Sequence, residues 1–143
     1  MKREIKFRSW NIEKKIMADV SQLRYDYTVD VSYEKGEKKD GYFFGGNWVG
    51  DRWNKYENIL MQFTGLKDRN GKDIYECDVL SEKWKVEVFQ NNEGTFMVRS
   101  HINPKINKPM SLNKYLKSRI KAGTWLEDNM VIGNIHENPE LLK

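Results

Sequence analysis

ILMQFTGLKDRNGKDIYECDVL, residues 59–80, sets two short apolar runs around a Thr-Gly break and an Asn-Gly turn. Ile59 to Phe63 has the length and composition of a strand, and Thr64-Gly65 ends it. Asn70-Gly71 suits a type I′ hairpin turn, because both central residues of that turn take positive φ. Ile74-Tyr75 restarts the chain, and Val79-Leu80 opens another apolar stretch. The stretch therefore reads as β-structure and specifies a fold better than a chemistry.

The same pattern extends in both directions. Near the start, EIKFRSW (4–10) alternates Ile5 and Phe7 with charges until Trp10 breaks the rhythm, 11–15 turns, and 15–20 returns as the second arm of a hairpin. Leu23, Tyr25, Tyr27, Val29, Val31 and Tyr33 keep period two, which predicts one long half-buried strand. EKGEKKD (34–40) reads as a charged loop. GYFFGGNWVGDRWNKY (41–56) holds six aromatics and four glycines in sixteen residues, a density that excludes a regular helix and makes strands irregular. Further on, Trp84, Val86 and Val88 alternate with Lys85 and Glu87, Asn91-Asn92-Glu93-Gly94 turns, and Phe96-Met97-Val98 returns. HINPKINKPM (101–110) is a loop with two of the three prolines. Ser111 is an N-cap for a helix carrying Leu112, Tyr115, Leu116 and Ile120, with Gly123 as its stop. NMVIGNIH (129–136) is a last strand, and 138–142 a terminal turn. The sum is mainly β with one short helix, many short strands forming a small barrel or sandwich.

Composition bounds the function. At 143 residues the chain is one domain, or a small domain with an appended segment, and buries a core without a metal or disulfide. One cysteine, Cys77, excludes an internal disulfide and favours a reducing cytoplasm. MKREIKFRSW lacks the apolar core of a signal peptide, and no run is long enough to span a membrane. The net charge of +4 is uneven: residues 81–122 carry nine Lys/Arg against three Glu. Such a patch meets phosphates, or simply keeps exposed faces solvated.

Three blocks carry a family likeness: REIKFRSW (3–10), LMQFTGLKDRNGKDIYECDV (60–79) and VIGNIHENPELL (131–142). In this order they resemble the YopX family of phage and prophage proteins. The resemblance implies a C-terminal half folded as a small Src-homology-like β-barrel (59–143), an N-terminal β portion (1–58), and a phage or prophage origin in a bacterial host cytoplasm. It implies no activity, because the family is one of uncharacterised function. Where the family usually has glycine between two acids, this chain has Cys77 between Glu76 and Asp78. A glycine there signals positive φ or close backbone approach.

Candidate sites are few. Asp73, Glu76 and Asp78 form the densest acidic cluster; on one strand face Glu76 and Asp78 would serve acid–base chemistry or a divalent cation. The plainer reading is that they bond turn and loop amides. Cys77 between two acids is a poor nucleophile, and with His101 and His136 makes too few ligands for zinc. No catalytic residue, metal site or cofactor motif is assigned. The aromatic segment is the sharpest lead. Tyr42, Phe44, Trp48 and Trp53, with Arg52 and Lys55 among them, would serve as core, as a partner interface rich in Trp and Tyr, or as a stacking surface for single-stranded nucleic acid. The expectation is a non-enzymatic binding module that self-associates as a homo-oligomer or binds a host protein. A nucleic-acid-binding small barrel is the alternative, with no membrane role.

Overall fold

The computed structural model describes residues 4–26, 28–39, 42–102, 108–121 and 129–143, and of 34–39, 42–49 and 119–121 the backbone alone. The chain folds as two compact units, Lys6–Met61 and one that holds Gln62–Lys143. The architecture is mainly β, with antiparallel sheets and one short helix.

The N-terminal unit contains β1 (Phe7–Asn11), β2 (Ile16–Leu23), β3 (Val29–Lys39), β4 (Tyr42–Trp53) and the first residues of β5 (Asn58–Lys67), in the order β4-β3-β2-β1-β5. Asn11 makes the first turn: its Oδ1 accepts from the backbone N–H of Glu13 (3.1 Å) and Lys14 (2.7 Å). That is the short-range bonding for which Asn is favoured in turns. One core forms here from Ala18, Val29, Val31 and Trp53, all buried, with Ile16, Val20, Tyr33 and Leu60 packed around them. Trp53 is fully enclosed, its ring 5.9 Å from that of Tyr33.

Two expectations are corrected here. The period-two run 23–33 is not one strand. β2 ends at Leu23, Arg24 N–H donates to Thr28 C=O (3.0 Å), Asp26 Oδ1 accepts from Thr28 N–H, and β3 begins at Val29, paired with Leu23. A reversal that preserves parity leaves alternation intact, so periodicity alone cannot see it; Tyr27 lies outside the described residues. Nor is 34–39 a loop: β3 continues through Lys39 opposite β4, down to the pair Lys39↔Tyr42. Charge does not exclude a strand whose faces meet water. Asp40 and Gly41 lie outside the described residues.

In the C-terminal unit the later part of β5 pairs with β6 (Asp73–Tyr75), Phe63↔Tyr75 and Lys67↔Asp73, with the register shifting across Gly65 (φ 83°). β5 thus runs past the Thr-Gly break, which is a bulge and not a strand end. The Asn-Gly turn forms with different geometry from the one expected. Gly71 stands at φ 79°, but Asn70 is not at positive φ, and the bonds are Gly71 N–H to Asp68 C=O (3.0 Å) and Asp68 N–H to Lys72 C=O (2.8 Å). This is the longer hairpin loop, a tight turn closed by one left-handed glycine.

β7 (Asp78–Leu80), β8 (Val86–Gln90), β9 (Phe96–Ser100), β10 (Met110–Ser111) and β11 (Val131–Asn134) form a sheet in the order β10-β9-β8-β7-β11. Among the described residues no ladder joins β10 to β11, and no closed barrel is present. α1 (Leu112–Lys121) is capped as expected, Ser111 Oγ accepting from Lys114 N–H at 3.2 Å. Its expected stop, Gly123, and most of the proline loop (103–107) fall outside the described residues. Leu112 and Tyr115 of the helix join Ile74, Leu80, Val86, Val88 and Val98 in the second core. The chain ends on a short 3₁₀ turn, Pro139–Leu142.

Cys77 links β6 to β7 at φ 68°, its N–H donating to Val88 C=O (2.8 Å) and its C=O accepting from Ile135 N–H (3.0 Å). The backbone is held left-handed from both sides, so the residue carries the cost that glycine avoids. Replacing Cys77 by Gly should raise stability by about 0.5 kcal/mol, the relief of left-handed strain less the greater chain entropy of glycine. Cys77→Val should lower it by about 1–3 kcal/mol, since a β-branched residue tolerates this region worst. Urea unfolding of the three proteins would read both changes.

Candidate functional site

The acidic cluster comes apart on inspection of its partners. Glu76 and Asp78 do not share a strand face, because the left-handed Cys77 stands between them and they flank the β6–β7 junction. Glu76 Oε2 accepts from Gln62 N–H (2.8 Å), Asp78 Oδ2 from Tyr75 N–H (2.8 Å), and Asp73 Oδ1 meets Lys67 Nζ at 2.5 Å. Asp78 is buried. Two of the three carboxylates are therefore spent on backbone amides, and among the described residues no group of three or more potential ligands surrounds a metal position.

A fourth acid does more structural work. Asp68 is buried; its Oδ1 accepts from Asn70 N–H (2.8 Å) and Lys72 N–H (2.9 Å), and its Oδ2 from Val131 N–H (3.0 Å). One side chain thus shapes the turn and ties it to β11. Asp68→Ala would leave three amides short of an acceptor; at 1–3 kcal/mol for each buried loss, part of it recovered by water, a cost of about 3 kcal/mol is expected. Thermal unfolding of the variant would measure it.

A polar group that the sequence reading did not single out lies on β8 and β9. Glu87 is buried and meets Arg99 Nε (3.3 Å) and His101 Nε2 (2.8 Å), while the Arg99 guanidinium lies 4.6 Å from the Phe89 ring centroid. Glu87 and Arg99 stand directly opposite in the ladder, so the signal was cross-strand register.

The aromatic segment is strand. β4 is the end of the N-terminal sheet, and its residues 42–49 are described by backbone alone, which places Tyr42, Phe44 and Trp48 in the ladder opposite Lys39, Glu37 and Glu34. Trp53 belongs to the core. Arg52 is exposed and bonds Asp30 through Nε at 2.6 Å, where Arg24 also binds (3.0 Å). Lys55 Nζ lies 5.1 Å from the centroid of the Tyr56 ring, which is 82% exposed. Tyr25, in the turn between β2 and β3, is fully exposed and was counted in the sequence as part of a strand. In the basic stretch 81–122, Lys83 lies over the Trp84 ring, and Lys83, Lys85 and Arg99 all belong to the C-terminal unit.

The ion pairs at this end of the sheet set a pH dependence. The Arg52 hydrogen bond, helped by Arg24 and opposed by desolvation, holds the Asp30 carboxyl below its ordinary 3.8. Lys14 and then backbone and Trp53 N–H donors do the same for Asp51. The unfolded chain then binds more protons than the folded one, so this contribution is present above the ordinary value and lost as pH falls through the lowered one. Arg52→Gln should make stability less sensitive to acid in that range, measured as melting temperature against pH.

With this geometry in hand, the chain can be set beside known proteins. The model of the YopX protein family matches residues 6–143. This chain belongs to the YopX family. Among solved structures it is similar to protein EF1440 from Enterococcus faecalis, at 25% identity and a TM-score of 0.54, over 99% of this chain and 100% of that one. Comparison with curated proteins gives no match. YopX membership brings a fold and no reaction, since the function of the family is uncharacterised. Among the described residues of this YopX chain no helix is long and apolar enough to cross a membrane.

Proposed function

We propose that this YopX-family chain is a non-enzymatic phage or prophage accessory protein that acts in the bacterial host cytoplasm by binding, first of all to itself. The observation that carries the reading is the outer strand of the N-terminal sheet: β4 ends the sheet with an aromatic, glycine-rich sequence that is uncharged from Tyr42 to Gly50. Aromatic residues are enriched at interface cores and charged ones depleted there. The carboxylates that would have served an enzyme are occupied with backbone amides, which supports binding over catalysis. The C-terminal unit would work as a small Src-homology-like barrel, in keeping with the family likeness, and a host protein is a further partner for it.

A second reading rests on Tyr56 and Tyr25. Both are exposed, one with Lys55 against its ring, and stacking of single-stranded nucleic acid needs such rings beside cations. Light scattering at tens of micromolar, with and without a short single-stranded DNA, separates the two. A discrete oligomer indifferent to DNA is expected. A monomer that gains mass with DNA, at a salt-dependent affinity, would replace the first reading with the second.

A further inference from the structure

We infer that two copies of this chain join edge to edge, β4 against β4 in antiparallel pairing, so that the N-terminal sheets of two molecules become one continuous sheet. This rests on the self-association reading above and names its mode.

β3 and β4 outrun the rest of their sheet. The β2–β3 ladder reaches no further than Asp19↔Ser32, whereas β3 and β4 stay paired from Val29↔Trp53 to Lys39↔Tyr42. Beyond Ser32 the two strands form a ribbon, and among the described residues no strand lies on either side of it. A two-stranded ribbon is marginally stable in water by itself, so a third strand would stabilise it.

Its two flanks differ in composition. On β3, residues 34–39 are EKGEKK, five of the six charged. Charge of this density, lysine above all, is how a sheet edge is kept from pairing. On β4, residues 42–50 are YFFGGNWVG, nine residues with no charge and no proline. At about 3.4 Å per residue that is roughly 30 Å of pairable edge. The guarded flank marks the other as the side that pairs.

Electrostatics favours a second copy as the occupant. An antiparallel pairing about a twofold axis sets a sequence against its own reverse, so a charge near the centre would meet its own kind, at a cost. The run 42–50 holds none. It is also nearly symmetric in size about its small centre: bulky residues at 42–44 and 48–49, small ones at 45–47. Paired about the Gly45–Gly46 step, the register that matches faces across the bulge described next, Phe43 would stand opposite Trp48 and Tyr42 opposite Val49, the aromatic and aromatic–β-branched pairs that stabilise sheets. The ladder with β3 steps from Lys35↔Asn47 to Glu37↔Phe44, so β4 carries one extra residue at Gly45–Gly46. The bend of that bulge falls at the centre of the paired run.

The test uses the full chain with Cys77 replaced by Ser, and single cysteines placed at Phe43, Phe44, Gly46, Val49 and Gly50. Residues opposite one another in antiparallel strands are within disulfide reach, and those several positions away are not. Under mild oxidation, cross-linked dimer should peak at Gly46→Cys and vanish at Phe43→Cys and Gly50→Cys. Asn47→Lys, which adds a charge to the edge, should halve the mass seen by light scattering without changing the circular dichroism. An oligomeric wild type with no peak in the scan and an intact Asn47→Lys oligomer would overturn edge pairing and leave self-association standing. A monomeric wild type at tens of micromolar would overturn both.

Discussion

An open sheet must end, and at each end a row of backbone N–H and C=O groups faces outward without a strand to take them. In the N-terminal unit that constraint organises everything else. β1 and β2 lie inside the sheet, β3 is covered on one side for only its first residues, and β4 takes the outermost position. The core is placed accordingly: Val29, Val31 and Trp53 are buried where β2, β3 and β4 are all present. Beyond that region the chain has no third strand, and there the sequence changes character, to charge on β3 and to aromatics and glycine on β4.

The C-terminal unit solves its backbone accounting with carboxylates. Asp68, Glu76 and Asp78 each accept from main-chain N–H groups that strands and turns leave over. A carboxylate is the strongest acceptor a side chain can offer an amide. This is why a cluster that looks like chemistry in the sequence is architecture in the folded chain. The same residues draw β5, β6, β7 and β11 together around Cys77, whose backbone bonds Val88 of β8 and Ile135 just past the end of β11.

Much of this was legible beforehand, and the gaps have identifiable causes. The β8–β9 hairpin, the capped helix and the final strand carry strong local signals, and each formed close to where its residues predict. Alternation through 23–33 concealed a reversal because the turn kept the parity of the strands on either side. The charged stretch 34–39 passed for a loop because composition reports solvation and not backbone pairing. The acidic cluster misled because spacing of two implies one face only on a regular strand, and Cys77 breaks that regularity with φ 68°. Glu87 with Arg99 and His101 escaped notice because a cross-strand neighbour is visible only once register is known. The burial of Trp53 was one of the open readings of its segment, and composition had no means of separating it from its aromatic neighbours.

The bond from Val131 N–H to Asp68 Oδ2 spans 63 positions of sequence. Seen as a folding event, it ties a local hairpin, which closes a loop of a few residues, to a strand delivered only after the rest of the unit has passed by. Loop-closure entropy makes the first step cheap and the second slow. The turn at 68–72 can therefore be in place, two of its amides already on Asp68, while the third acceptor site waits for β11. One carboxylate thus joins two contacts local to its own turn to a third that reaches β11, at the edge of the sheet.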